Sequence, residues 1–301
     1  MSGYRRSYAL DPTLCDRVFD LLTTVFYPAL NEARHAAERF GATWESVSTP
    51  FVRFENDCLV SHVGLLTLPL VVRGRPITAG GVHGVATHPE ARRRGYYRAI
   101  MEALFDYAAP LYETLALTTA HPEYFTPFGF RVVPESVFVR SVPVQRRPGR
   151  LRPVDPHGVH DRALVHRLLE ARAPHSGLLA VGLDKAVFAF NETGTGQLAY
   201  SGALDLLVVS DRVGGTLRLL ELIGPTIPSL ERLLEEMGGE VSEVVTFFPP
   251  DRLGPGFVSR PHDLAGGVYS MDRGGDNTYL MVRGPFAAEG LPLMLSRSAR
   301  C

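Results

Sequence analysis

Val82-His83-Gly84-Val85-Ala86-Thr87-His88-Pro89-Glu90-Ala91-Arg92-Arg93-Arg94-Gly95-Tyr96-Tyr97-Arg98-Ala99-Ile100-Met101-Glu102-Ala103-Leu104 is the stretch on which the reading of this chain turns. Val82 to Thr87 is β-rich, and His88-Pro89 stops it, because proline lacks the N–H that a ladder needs. A basic, glycine-bearing turn follows at Arg92-Arg93-Arg94-Gly95. Tyr97, Ile100, Met101, Leu104 and Phe105 then recur at helical spacing. Strand, basic turn and helix N-terminus together make an anion site. Free backbone N–H groups and the positive end of the helix dipole point at the turn. Gly95 lets a phosphate approach the main chain, and the arginines add charge-assisted bonds. By spacing alone, three arginines in a row also read as a solvated basic face.

Arg92, Gly95 and Tyr97 occupy the three defined positions of a Gln/Arg-x-x-Gly-x-Gly/Ala pattern. The segment therefore resembles the acyl-CoA signature that follows the fourth strand in the GNAT superfamily of N-acetyltransferases. Tyr97 stands where a small residue is usual. Its wording is closest to the enhanced-intracellular-survival branch, in which a larger residue at that position is ordinary. Downstream, His121-Pro122-Glu123-Tyr124-Phe125-Thr126-Pro127-Phe128-Gly129-Phe130 resembles the second family motif, Phe-Tyr-x-x-Leu/Phe-Gly-Phe. The resemblance spans roughly residues 10–140. It implies acetyl-CoA as cosubstrate and no metal. Main-chain groups of Val85, Ala86 and Thr87 would hold pantetheine. The turn from Arg92 through Arg93, Arg94, Gly95, Tyr96 and Tyr97 to Arg98 would hold the pyrophosphate, with Ala120 and His121 flanking it from the next strand.

With 301 residues, 45% hydrophobic and 21% charged, the chain suits one large or two ordinary globular domains. A net charge of −1 argues against a general nucleic-acid or membrane-surface binder. Lys185 is the only lysine, a skew that points to high-GC, bacterial codon usage. No apolar run reaches membrane-spanning length, and the N-terminus lacks an apolar signal core. Cys15, Cys58 and Cys301 have no metal-like spacing and read as reduced thiols of a cytoplasmic protein.

The expected fold is α/β with mixed sheets, as tandem GNAT-like domains. Helices are expected after Asp11-Pro12 and over Leu30 to Phe40, then a hairpin turning at Asn56-Asp57. The arginine-turn strand and helix follow, then a strand at Leu115–Ala120, a short helix at Glu123–Phe128 and a strand at Phe130–Val133. Residues 1–142 form the expected acetyltransferase domain. Residues 143–155, with Pro143, Pro148, Pro153 and several arginines, read as a linker. Residues 156–301 restart with a helix at Asp161–Arg172, then a strand from Thr216, a helix at Ser229–Met237 and a strand at Val241–Phe248. This second half reads as a degenerate GNAT-like repeat without CoA. The sterol-carrier-like third domain of the survival branch is not expected in the residues that remain.

Acetyl transfer to an amine needs a base for the ammonium and an acid for the leaving thiolate. The family's acid is a tyrosine four residues before the motif glycine, and that position is Phe125; its neighbour Tyr124 is the candidate instead. His83 shares a strand face with Gly81 and Val85 and is the candidate base, set against a histidine simply bonded within the sheet. His121 and Glu123 could face the same cleft. Tyr27 and Trp44 are candidate cleft aromatics, and Glu32, Glu38 and Glu45 candidate attractors of a cation. The expected reaction is acetyl transfer to a primary amine of a small molecule, an amino-sugar or peptide antibiotic among the options. A different acyl donor (a longer acyl-CoA or aminoacyl-tRNA) and a non-catalytic CoA-binding module are the alternatives. Monomer and homodimer both stay open.

Overall fold

The computed structural model describes residues 3–272 and 277–301, and the side chains at 145 and 146 lie outside the described residues. Helices α1 (Leu14–Val25) and α2 (Leu30–Phe40) precede strands β1 (Ser48–Glu55), β2 (Cys58–Val72) and β3 (Arg75–Thr87). Helix α3 (Tyr96–Ala108), β4 (Leu115–Thr119) and β5 (Arg131–Val133) complete the expected order. The chain continues through β6 (Ser136–Arg147), β7 (Arg152–Pro153), α4 (Val159–Glu170), β8 (Leu179–Val181) and α5 (Ala186–Glu192). It closes with β9 (Leu198–Ser201), β10 (Leu206–Val213), β11 (Thr216–Ile223), α6 (Leu230–Met237), β12 (Gly239–Thr246), β13 (Val258–Pro261) and β14 (Tyr279–Arg283).

The expected helices form where the apolar spacing places them. In α1, Leu14, Val18, Leu21 and Leu22 are buried, and Asp11 accepts from the Thr13 amide at the entry. The hairpin turns at Asn56 and Asp57, both with positive φ, as a two-residue connection of right-twisted strands demands. The strand of the arginine turn is third in chain order among the described residues, where an isolated bridge, Arg5 to Phe51, precedes β1. The short helix expected at Glu123–Phe128 is instead two 3-10 turns, Pro122–Tyr124 and Thr126–Phe128. Pro122 opens the first turn and Pro127 is the second residue of the other, and each lacks the N–H that continuous helical hydrogen bonding needs.

Two seven-stranded sheets carry the molecule, one ordered β1-β2-β3-β4-β14-β5 with β8 on β2, the other β13-β6-β12-β11-β10-β9-β7. This is a mixed α/β fold. In the second sheet β11 and β12 run parallel across α6, repeating the parallel β3–β4 crossover of the first.

The chain is divided differently from the sequence reading. Residues 143–155 are not a free linker: β6 runs through Pro143 to Arg147 paired with β12, and β7 pairs with β9. Pro143 is tolerated because β13 pairs only with residues 136–139, and the β6–β12 register shifts beside it. Residues 156–301 do not form one separate unit either. β8 and β14 return to the first sheet, and β14 lies between β4 and β5. Leu280, Met281 and Val282 of β14 are fully buried there, each contributing roughly 1.5–3 kcal/mol of apolar burial.

A fragment ending at Arg150 therefore lacks the strand between β4 and β5 and every partner of β6. It is expected to be insoluble or to lose cooperative thermal unfolding. A soluble 1–150 fragment with a sharp transition by circular dichroism would overturn this division of the sheets.

Candidate functional site

β3 and β4 pair only at Gly80–Leu115 and Gly81–Ala116, after which the two strands part although both continue. The cause lies in the β2–β3 ladder. His62 pairs with Ala86 and Gly64 with His83, so Gly84 and Val85 are opposed by Val63 alone. That extra residue is a β-bulge, and Gly84 takes the φ of +56° that it requires. The His62 Nδ1–H donates to the Gly84 carbonyl at 2.7 Å and pins the bulge. Burial pushes His62 down to about 4, partly opposed by that hydrogen bond, so the ring is neutral.

A cleft of about 1030 Å³ opens where the strands part. One end is walled by the arginine turn and the start of α3. Gly95, φ +81°, is the N-cap of α3 and offers the helix no side-chain cap, and the first turn holds no acidic residue. The amides of Tyr96, Tyr97 and Arg98 therefore precede the first intrahelical bond, on a turn that lines the cleft and where an added Cβ on Gly95 would meet nothing within 4 Å. Arg93 also has left-handed backbone, φ +64°, which folds the turn around that space. By contrast, α6 in the second half carries a side-chain cap, Ser229, which accepts from the Arg232 amide.

The arginines divide their work. Arg92 Nε donates to the Thr87 carbonyl at 3.2 Å, and Arg94 pairs with Glu55 at 2.9 Å while also donating to the Glu90 carbonyl. Glu55 also accepts from the Tyr96 hydroxyl, and that bond, with Arg94, holds its carboxyl below the usual range. Glu55 thus braces the turn from the β1–β2 hairpin. No local signal in the sequence marked it. Arg93 and Arg98 are exposed at the turn.

Tyr97, in the position where a small residue is usual, reaches away from the turn. Its hydroxyl donates to the Tyr124 carbonyl at 2.9 Å, and its ring packs edge-on against Phe125 and Phe128. Phe125 is buried, whereas Tyr124 is 57% exposed, lines the cleft and stacks on His121. The wider cleft brings together Val85, Ala86, Thr87, Ala120 and His121 with the arginine turn, as the sequence reading grouped them.

His83 lines the cleft but is 4% exposed. Its ring lies over Gly64 on the facing strand, where an added Cβ would come within 2.0 Å of Cε1. Nε2 lies 3.0 Å from Ser48 Oγ, and Nδ1 has no partner among the described residues. Burial, then the neighbouring His62, hold its pKa well below the ordinary histidine value. Trp44 packs edge-on against His83 and against Phe19, in the core rather than as a free cleft wall. Tyr27 and its neighbour Phe26 do line the cleft, each at least half exposed. Glu38 and Glu45 pair with the buried Arg34 and are not cleft groups. Glu123 bonds His121 at 3.2 Å.

The sequence reading takes Cys301 only as a reduced thiol, gives it no role in the cleft and does not single out Thr118. Both line the cleft, and the Cys301 main-chain oxygen accepts from Thr118 N at 3.0 Å and Thr118 Oγ1 at 2.9 Å. A residue so far along the chain carries no local signal of this placement.

The candidate phosphate end makes a direct prediction. Arg93→Glu and Gly95→Ala should each weaken CoA binding about 10- to 100-fold, the first by charge, the second by loss of the left-handed turn. Isothermal titration of CoA checks this, and unchanged affinity in both variants would remove the arginine turn from the site.

Residues 9–133 match the family model described as "Acetyltransferase (GNAT) domain". None of the curated proteins matches the chain. Among solved structures, a probable N-acyltransferase of unknown function from Enterococcus faecalis V583 superposes with TM-score 0.59 at 16% identity, covering 94% of this chain and 72% of its own. A GCN5-related N-acetyltransferase from Kribbella flavida gives TM-score 0.52 at 17% identity over 90% and 69% of the two chains. Eis1 from Mycobacterium abscessus gives TM-score 0.52 at 16% identity over 93% and 73%. Over residues 9–133 the chain is thus similar to the acetyltransferase (GNAT) domain family, and these structures share its fold across most of its length.

Proposed function

We propose that the protein is an acetyl-CoA-dependent N-acetyltransferase acting on a primary amine of a small molecule, of the enhanced-intracellular-survival type. The observation that carries this reading is the parting of β3 and β4 beside the uncapped start of α3. An extended pantetheine arm suits two strands that stop pairing, since it offers amide groups to their main chains. A pyrophosphate suits Gly95 and the arginines. Acetyl-CoA supplies an activated thioester at the point where the strands diverge. Val85, Ala86 and Thr87 orient it, and the arginine turn holds its charged end.

The acceptor would enter between Phe26, Tyr27 and Tyr124, whose exposed rings favour an amine carried on an apolar or aromatic body. Amino-sugar and peptide antibiotics belong in the panel to be screened. Tyr124 is assigned as the acid for the departing thiolate, from its exposed place in the cleft. His83 is assigned as the base: its ring is neutral, lines the cleft and has Nδ1 free of a described partner.

Release of free CoA thiol across an amine panel tests the reaction, and the mass of the product identifies the acyl group. No thiol release with any amine, despite tight acetyl-CoA binding, would favour a CoA-binding module. A product carrying a longer acyl group would replace the donor. Because His83 titrates below ~6.5, its limb in log kcat/KM should lie on the acid side of that value, rising with pH as the ring loses its proton. His83→Ala should abolish the limb and slow kcat by about 10² to 10⁴. Tyr124→Phe should lower kcat with little change in acceptor KM. If both variants stay within a few-fold of wild type and the profile follows the acceptor's own pKa, the cleft acts by desolvating the amine, with no side-chain base.

A further inference from the structure

His83 is a polar ring in an apolar cage. Gly64 on β2 lies beneath it and leaves no room for a side chain there, while Trp44 meets it edge-on, with ring centroids 4.7 Å apart. The cage fixes the plane of the ring but not which way round it sits. A half-turn about Cβ–Cγ exchanges Nδ1 with Cδ2 and Nε2 with Cε1, atoms of nearly equal size. One hydrogen bond makes that choice. Ser48 Oγ lies 3.0 Å from Nε2, whereas Nδ1 meets no partner among the described residues.

Ser48 is itself held in place. It is buried at the start of β1, and its main chain pairs with Leu66 in the β1–β2 ladder. The Tyr8 hydroxyl faces it from the segment ahead of α1, and burial raises the pKa of that phenol, so it stays a donor. Around Tyr8 stand Cys15 of α1, Arg34 of α2 and Glu45 of the turn before β1, and Arg34 pairs with Glu45 at 3.6 Å. His62 approaches His83 from β2, neutral through burial, and Cys301 lies against Gly81.

A neutral imidazole has one N–H to place. On Nδ1 it would be a buried donor with no described partner; on Nε2 it donates to Ser48 Oγ, which leaves Nδ1 as a bare lone pair. We propose that Ser48 is a positioning residue for His83, fixing the ring with its proton on Nε2 and Nδ1 free to act as the base. The catalytic part rests on the acetyltransferase reading; the hold on the ring does not. In the reaction an N–H bond of the acceptor ammonium breaks and its proton goes to Nδ1. The electron pair stays on the amine nitrogen, which then attacks the thioester carbon. The ring becomes an imidazolium whose Nε2–H, now a stronger donor, is still met by Ser48. The ring loses the proton to solvent after the product departs.

Ser48→Ala removes the hydroxyl, Ser48→Thr keeps it, and Tyr8→Phe removes only the donor behind it. Nitrogen-15 NMR of the histidine rings, assigned with His83→Ala, reads the tautomer without any turnover. In wild type near neutral pH, Nε2 should show the shift of a protonated nitrogen and Nδ1 that of a bare one. In Ser48→Ala both should move toward averaged values, and Ser48→Thr should restore them. Acceptor kcat should fall about tenfold in Ser48→Ala, the scale of one hydrogen bond to a charged group. The acid limb of kcat/KM should move to lower pH by roughly one unit, because the imidazolium loses more than the neutral ring does. Tyr8→Phe should move both readouts the same way by less. CoA affinity should hold within about twofold, since the arginine turn lies on other elements.

A wild-type ring protonated on Nδ1 overturns the positioning role, and so do nitrogen shifts that Ser48→Ala leaves unaltered. A changed tautomer with an unmoved pH limb overturns the link to proton transfer. If Ser48→Ala fails to fold, the same two readouts on Tyr8→Phe decide. If wild type turns over no amine, the acetyltransferase reading fails by itself and the catalytic part falls with it. The nitrogen shifts still decide whether Ser48 sets the ring.

Discussion

A sheet strand cannot simply leave its neighbour, because each main-chain N–H and C=O it releases needs another partner. β3 and β4 do part, after Gly81 and Ala116, and the rest of the site depends on it. The bulge at Gly84 redirects β3, and His62 holds the bulge carbonyl with a proton that burial keeps from becoming part of a charged ring. On the β4 side, Thr118 is met by Cys301. The cleft opens between them, with the arginine turn and the start of α3 at one end.

The two α/β crossovers of the chain illustrate how little separates a binding helix from a structural one. Both join parallel strands through a helix, α3 in the first sheet and α6 in the second. At α6 the Ser229 side chain caps the Arg232 amide, and the Leu253 carbonyl takes the Leu230 amide. At α3 the cap is a glycine in left-handed conformation, followed by tyrosines and an arginine in place of acids. Arg98 in the first turn opposes the helix dipole, an arrangement that favours a bound anion. Glu55 offsets some of the local positive charge from outside the helix, by holding Arg94.

The second half is more than a neighbour. β8 and β14 complete the first sheet, and buried carboxylates pair with Arg297 and Arg300, just before the cleft-lining Cys301. Burial alone would raise the pKa of Glu221, yet His175 and Arg172 hold its carboxyl below the usual range, with help from Ser298. Glu192 lies the other way, raised by burial despite Arg297. Buried ion pairs of this kind are weak sources of net stability but strong sources of register, since a misplaced partner leaves a charge uncompensated. They suit a segment whose position matters more than its adhesion.

What the sequence by itself determined is local. Periodicity gave α1, α2, α3 and α6 nearly to the residue, Asn56-Asp57 marked its turn, and the strand–arginine–glycine–helix order located the candidate phosphate end. These features are written in contacts between residues close in the chain, through 3.6- and 2-residue periods and backbone preferences. The tertiary structure decided the rest. Pro143 read as a linker because a proline lacks a donor, and only the short reach of β13 and the shifted β12 register show that none is needed there. Phe125 and Tyr124 were separable in sequence by one position, but which is buried depended on Tyr97 reaching across to that loop. β14, Glu55 and Cys301 lie far along the chain from the residues they touch, and no period or motif encodes such a meeting. It follows from pairing two unsatisfied strand edges and burying three apolar side chains, a choice made by the whole fold at once.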